Sequence, residues 1–478
     1  RVSNRLPSRS EPGGRLVRTD GGLVSALLPV HRASTSWWVG QGGFDGSEGL
    51  VDRLAEERVV DVSIDESLAT AHYNGASNEG IWPLFHYFPA YTRFSLQDWA
   101  AYRAVNQLFA DAILARAEPG DRIWVHDYQL MLLPMMLRAG MPSLCIGYFH
   151  HIPFPTSEVL KIHPARDEIL RGLLGADLIG FHTLDYARHF ASSASRVLGV
   201  EAIAEKLHVD DRTVRIGAFP LGIDAADFIS TLDEPAHLLA FAKLRAEFEG
   251  RRVIVGVDRL DYTKGIPNRL RAFEQFLRLY PQWRDVVTFI QLCVPSRTDV
   301  DQYDSLRQEV EREVGRINGE LGSARHAPVH YLFQRRALPD LLALYRLAEV
   351  CLVTPLRDGL NLVCKEYVAA HPALDGVLVL SEFAGAAEEM SEALVVNPFD
   401  IYQVARAIHE ALTMSDGERQ ARLGALRRRV VDSDNRAWAS GFLDVLEEAN
   451  ASNRDAASRS LDPDDVVQLR RRIIETDP

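Results

Sequence analysis

The chain has 478 residues, 47% of them hydrophobic and 25% charged. That is too long for one ordinary core and enough for two domains of about 200 residues each. The net charge of −13 argues against nucleic acid or an anionic membrane surface as the main partner, since both favour basic proteins. It leaves room for a local basic pocket that takes a small anion.

No apolar run reaches the roughly 18 residues of a membrane span, and Pro134 interrupts the greasiest stretch, 130–137. Lysine is scarce, five against forty-eight arginines. We read this as a bias of the source genome, which makes a lysine in a motif, such as Lys264, more informative. Cys145, Cys293, Cys351 and Cys364 show no metal-ligand spacing and read as buried free thiols of a reducing cytosol. A cytoplasmic homo-oligomer is expected.

Along the chain, Arg5 and the glycine pair before Leu23 form a basic-plus-glycine element near the start. Tyr73 and Trp82 lie in a polar stretch that carries aromatics. Strand-like runs then alternate with helical ones: 122–126, a helix at 129–138, 144–149 and 177–181. The first alternation ends near 215–222, and a second begins with a strand at 252–257. A helix at 267–280 follows, with Leu270, Phe273, Leu277 and Tyr280 on one face. Further strands are expected at 286–293, 329–333, 350–354 and 377–380. This alternation means parallel sheets with helices on both faces. The expected class is α/β, with two doubly wound, Rossmann-like domains facing across a cleft. We divide it as 1–225, 226–434, a closing helix at 435–450 and a loosely attached polar tail at 451–478.

Ligands in such folds bind where strands end, and five strand ends here carry polar signatures. Strand 252–257 runs into DRLDYTKG, where Arg259 and Lys264 flank a strand-to-helix turn. Two cations and a helix N-terminus suit a diphosphate; the alternative is ion pairing with Asp258 or Asp261. Neither GxGxxG nor GxxxxGK[ST] is present, so no dinucleotide fingerprint or P-loop applies.

The stretch LRDGLNLVCKE, 356–366, is a second such turn. Asp358 suits sugar hydroxyls, and Glu366, one helical turn in, suits a ribose diol. The alternative for Glu366 is stabilisation of the helix N-terminus, worth a few tenths of a kcal/mol. Phosphate plus diol points to a nucleotide sugar. The first half supplies Asp127 and Tyr128 after one strand and His150 and His151 after the next. Of the two adjacent histidines, alternation sends only one toward any given face. Arg297 follows the strand VTFIQLCV.

These motifs occur in a familiar order: SNR at 3–5, GGL at 21–23, HDY at 126–128, HIPFP at 151–155, DRLDYTKG at 258–265, PSR at 295–297, TPLRDGLNLVCKEYVAA at 354–370 and VLSEFAGAAEEM at 379–390. Over roughly residues 1–445 the chain resembles the trehalose-6-phosphate synthases, retaining glycosyltransferases of the GT-B fold. The resemblance implies transfer of glucose from a nucleotide donor to glucose 6-phosphate, giving α,α-trehalose 6-phosphate. It implies that Arg259 and Lys264 bind the donor diphosphate, with Gly22 closing over it, and that Glu366 holds the ribose. Asp358, with the backbone at Asn361, Leu362 and Val363, would hold the donor glucose, and His151 its far hydroxyl. The acceptor would fall to Arg5, Tyr73, Trp82, Asp127, Tyr128 and Arg297, with Arg5, Tyr73 and Arg297 on its phosphate.

Arg259, Lys264, Asp358, His151 and Asp127 are therefore the expected catalytic set. No DxD-like acidic motif is apparent, so no metal and no cofactor is expected. The donor base leaves no motif; uridine is the default, with adenosine and guanosine open. Two departures from the family pattern stand out. Gln41 replaces a frequent Trp, and the strand expected before Ser3 is reduced to Arg1 and Val2. A synthase with another acceptor and a non-catalytic sugar-phosphate sensor are the competing readings.

Overall fold

The computed structural model describes residues 1–11, 15–18, 22–42, 54, 56–295 and 301–459. The β-branched apolar runs form β1 (Val2–Arg5), β4 (Trp38–Gln41), β5 (Val59–Asp61), β6 (Arg122–His126), β7 (Cys145–Phe149), β8 (Leu178–Phe181) and β11 (Arg212–Ala218). With β9 (Glu201–Ile203) and β10 (Lys206–Val209) they make one sheet, in the order β5-β4-β1-β6-β7-β8-β11-β10-β9. It is parallel except at β11-β10-β9. A short hairpin, β2 (Ser8–Glu11) with β3 (Arg15–Arg18), stands apart.

The second sheet is all parallel: β12 (Arg252–Arg259), β13 (Val287–Val294), β14 (Val329–Phe333), β15 (Val350–Val353), β16 (Val377–Ser381) and β17 (Leu394–Val396). Its order is β14-β13-β12-β15-β16-β17. Strand order reverses at β12/β15 here and at β1/β6 in the first sheet. In doubly wound folds the crevice beyond the strand ends at such a reversal is where ligands bind. Those four strands lead into Arg5, Asp127, the 259–265 turn and the 354–363 turn, so topology aims the expected site residues at two crevices.

The chain crosses between the sheets twice. After β11 the helix Ala225–Thr231 already packs on helices of the second sheet. The helix Asn435–Arg459 returns beneath the first sheet. Its Trp438 and Phe442 stand 5.0 and 4.7 Å from the Trp124 ring. Gly147 and Gly180 leave the space: a Cβ on either would come within 2.8 or 2.7 Å of Phe442.

Two expectations need correction. The closing helix does not stop at 450 but runs to Arg459. Asn453, read as part of a loose tail, donates to buried Asp177 at 3.1 Å and exchanges bonds with the Thr213 backbone, both at 3.0 Å. The first strand is not confined to the residues before Ser3 either: Val2–Arg5 build β1 between β4 and β6, with Val2 opposite Val125. Ser3 is fixed there by Trp38 Nε1, which donates to its Oγ at 2.8 Å. Gln41 ends β4, and its carbonyl accepts from Leu6 N at 3.1 Å. All four cysteines are buried and free.

Candidate active site

The donor-side turn after β12 is built by its own residues. Buried Asp261 accepts from Thr263 N at 3.0 Å and from Thr263 Oγ1 at 2.9 Å. Gly265 then adopts φ 66°, where glycine carries no penalty, and a Cβ there would stand 2.8 Å from the Thr354 carbonyl. The helix Ile266–Leu279 starts at once, with Pro267 in its first turn, a position where the missing N–H is harmless.

Lys264 does not pair with Asp258 or Asp261. Its Nζ donates to Asp358 Oδ2 at 2.5 Å, joining the two turns at the β12/β15 reversal. Asp258 is taken by Arg269. Arg259 lies 3.9 Å from Asp261, with 44% of its side chain exposed, so it remains accessible to a ligand.

Asp358 also accepts from Asn361 Nδ2 at 3.0 Å. Asn361 sits at φ 81°, and its own Oδ1 accepts from Cys364 N at 3.3 Å. Burial pushes the Asp358 carboxyl up, but the charge and hydrogen bond of Lys264, with the hydrogen bond from Asn361, outweigh it and hold the group below the usual carboxylate range. Asp358 is therefore ionised at neutral pH. Leu362 and Val363 open the helix Val363–Ala369. Glu366, inside that helix, accepts from Tyr345 OH at 2.9 Å. Burial pushes its carboxyl above the usual range, with the tyrosine bond acting against it.

The first half meets these turns directly. A Cβ on Gly359 would lie 2.4 Å from the His151 carbonyl oxygen, so only glycine admits this approach. Tyr186 OH donates to the Asp358 carbonyl at 3.1 Å. A Cβ on Gly22 would touch Leu362 at 3.4 Å. The Arg259 guanidinium lies 5.5 Å from the Trp82 ring centroid.

His151 and His150 divide as alternation requires. His150 turns into the core, 3.1 Å from Tyr148 OH and packed on Phe85 and Phe154. His151 faces His126, with Nε2 3.1 Å from His126 Nδ1. Asp127 holds φ 75°, a strained conformation of the kind found at functional sites. Its Oδ1 accepts from Tyr128 N at 3.0 Å and His151 N at 3.4 Å.

On the other wall, Tyr128 is buried and donates to Asn78 Oδ1 at 2.8 Å. Its ring lies 5.7 Å from Trp82. The Arg5 guanidinium stacks 4.5 Å over Tyr73. The stretch that carries Tyr73 is a π-helix, Ala71–Ile81, a rare form that recurs at functional sites. Gly75 packs against a neighbouring helix, where a Cβ would stand 2.5 Å from the Asp98 carboxylate carbon.

The structure thus gathers Gly22, Arg259, Lys264, Asp358, Asn361, Leu362 and His151 at one crevice, with Asp127 tied to His151 and Trp82 to Arg259. Glu366 lies one helical turn deeper. Arg5 and Tyr73 form a pair of their own, and Arg297 lies outside the described residues.

Three residues escaped the sequence reading. His86 is buried, its ring 4.0 Å from that of Trp82 and tilted by 32°, with Nδ1 2.8 Å from the Trp82 carbonyl. Burial pushes it down to about 3, although Asp261 and Asp358 pull the other way; it is a neutral group beside the charged cluster. Arg357 stacks between Tyr87 and Tyr186 at 4.5 and 5.6 Å. Tyr186 binds across the crevice. The dense aromatic run after Trp82 was the available signal for His86 and Tyr87.

Among the described residues no group of three His, Cys, Asp or Glu is placed to hold a metal. No helix among them is long and apolar enough to cross a membrane.

Residues 2–448 match the model of glycosyltransferase family 20. The chain is 44% identical over 458 residues to an α,α-trehalose-phosphate synthase (UDP-forming) of Emericella nidulans, covering 93% of this chain and 91% of that one. A solved synthase of the same type from Burkholderia xenovorans, in complex with glucose-6-phosphate, superposes with TM-score 0.85 at 34% identity, over 93% of this chain and 99% of that one. A structure described as trehalose-6-phosphate from E. coli bound with UDP-2-fluoro glucose superposes with TM-score 0.84 at 36% identity, over 93% and 98%. With its two facing, predominantly parallel sheets the chain has the GT-B fold, and it belongs to glycosyltransferase family 20.

Proposed function

We propose that this enzyme transfers glucose from UDP-glucose to glucose 6-phosphate with retention, forming α,α-trehalose 6-phosphate. The observation that carries this reading is the Lys264–Asp358 pair at the β12/β15 reversal, with His151 of the other half against the neighbouring Gly359 and Trp82 beside Arg259. A cation for a departing diphosphate and a carboxylate for a sugar stand one hydrogen bond apart. Relatives of the family have been solved with each class of ligand, glucose-6-phosphate in one and UDP-2-fluoro glucose in another.

In this reading Arg259, Lys264 and the N-terminus of Ile266–Leu279 receive the donor diphosphate, and Gly22 closes over it. Asp358 and the backbone at Asn361, Leu362 and Val363 take the glucose, His151 its far hydroxyl, and Glu366 the ribose. Arg5, Tyr73 and Arg297 take the acceptor phosphate, while Trp82, Asp127 and Tyr128 take its sugar. The division into acceptor and donor domains falls near residue 225.

Glycosyl transfer passes through an oxocarbenium-like state as negative charge grows on the leaving diphosphate. Preorganised cations act where that charge develops, and removing one such donor costs about 10²–10³ in rate. The bond from C1 to the diphosphate oxygen breaks, and the acceptor oxygen bonds C1 from the same face. The departing phosphate oxygen takes the acceptor's proton. Asp358 Oδ2 is engaged by Lys264 and Asn361, which suits it to hold a hydroxyl better than to attack C1.

The test is nucleotide release from UDP-, ADP- and GDP-glucose, each with and without glucose 6-phosphate. Release that requires glucose 6-phosphate and is fastest with UDP-glucose supports the reading. Saturable binding without turnover favours the sensor. Cytoplasmic self-association, part of the same reading, is checked by light scattering.

A further inference from the structure

We infer that His126 sets the tautomer of His151, making His151 a hydrogen-bond donor from Nδ1 into the donor-sugar crevice. The two rings share one contact, His126 Nδ1 to His151 Nε2 at 3.1 Å. Only one proton can lie between two neutral imidazoles. Burial, before any neighbouring charge, holds both rings well below the usual histidine range, so both are neutral.

Two arrangements are possible. If His151 Nε2 carries the shared proton, then His126 must carry its own on Nε2. That atom is buried and has no hydrogen-bond partner. The ring is packed against Trp124 and Trp438, at 4.5 and 6.3 Å, and is fully buried. The result would be a further unpartnered N–H beside the indole Nε1 groups of Trp124 and Trp438, which also lack partners. If instead His126 Nδ1 carries the proton, Nε2 is a bare lone pair. Orphaned buried N–H groups are rarer than under-satisfied acceptors. The second arrangement therefore holds: His126 Nδ1 donates, and His151 Nε2 accepts.

The proton of His151 then sits on Nδ1, which has no hydrogen-bond partner among the described residues. A neutral imidazole's free nitrogen is read by whatever the other nitrogen binds. Here a residue that touches no substrate dictates that His151 offers N–H, not a lone pair. The backbone fixes the ring from the other side, because His151 N donates to Asp127 Oδ1 at 3.4 Å. The consequence for catalysis rests on the proposed role of His151 at the donor sugar; the tautomer itself does not.

Long-range proton–nitrogen correlation spectra of the full chain, labelled with nitrogen-15 on histidine, read the tautomer directly, with His151→Asn assigning the signal. The expected result is His151 protonated on Nδ1 without ligand. His126→Phe keeps the ring packing and removes the donor, so His151 should move to Nε2–H or a mixture. kcat/KM for the nucleotide sugar should then fall about tenfold, and His126→Asn, whose amide can donate from the same place, should restore most of it. Finding His151 protonated on Nε2 in the unmodified protein overturns the inference, whether or not any variant folds. So does an unchanged His151 tautomer in a folded His126→Phe protein. Absence of turnover with the expected tautomer would count against the proposed function alone.

Discussion

Arg269 offers the sharpest test of how the donor turn is held. The residue is 1% exposed and its side chain pairs with Asp258. It also donates to Thr354 Oγ1 at 2.9 Å, Gln291 Oε1 at 3.1 Å and the Lys264 carbonyl at 3.2 Å. One guanidinium thus ties β12, β13 and the turn after β15 together behind Lys264. Arg269→Leu leaves Asp258 buried with Gln291 Nε2, at 3.3 Å, as its remaining side-chain partner among the bonds described. Breaking one side of a buried pair costs about 3–5 kcal/mol. In a domain of about 200 residues each kcal/mol moves Tm by about 2–4 °C, so melting should fall by roughly 6–20 °C.

Calorimetry and urea unfolding measure this. Steady-state rates taken well below the new Tm should show kcat/KM down by about 10- to 100-fold, the penalty of a misplaced group. Replacing both partners, Arg269→Met with Asp258→Leu, should recover much of the stability, since a well-packed apolar pair often equals a buried ion pair. It should not recover the rate, because the Lys264 carbonyl stays unanchored. A single variant within about 1 kcal/mol of the parent, or a double variant whose loss is the sum of the singles, would refute the reasoning.

Lys264→Ala and Arg259→Ala should each lower kcat by about 10²–10³, with the glucose 6-phosphate KM little changed; steady-state kinetics on both substrates decide it. Gly359→Ala should cut turnover at least about tenfold, since its Cβ would lie 2.4 Å from the His151 oxygen and push the halves apart; a folded, fully active variant would show that the approach is unimportant. Asp358 has its folded pKa depressed below the ordinary 3.8. The stability it brings is present above pH about 4 and is lost as pH falls through the folded value. Urea titrations between neutral and acidic pH should therefore show a steeper loss in the parent than in Asp358→Asn, and parallel curves would contradict the assignment.

Much of the candidate site was legible because each motif is a continuous strand-to-turn segment, and topology puts such segments at strand ends. DRLDYTKG and LRDGLNLVCKE were readable separately. Their junction was not: Lys264 and Asp358 lie 94 residues apart, and local reasoning offered nearer aspartates as partners. Asp258 was lost to that role because Arg269, one helix further on, claims it. Contacts between the halves were equally hidden, since Gly359 against His151 depends on two domains meeting. The π-helix at Tyr73 was not foreseen because glycine, asparagine and serine give no helical signal, while in the fold Gly75 packs against Asp98 and Asn78 accepts from Tyr128. The last helix was cut short at 450 because Asn450 and Asn453 read as polar tail, yet both reach Asp177.

The most direct test of the central claim supplies UDP-glucose, labelled with carbon-13 at C1, together with glucose 6-phosphate, with EDTA present, and reads the product by NMR. The account predicts UDP and a non-reducing phosphodisaccharide whose labelled carbon carries the α coupling, joined anomer to anomer. A β-linked product, a reducing disaccharide, or free glucose as the main product would contradict it.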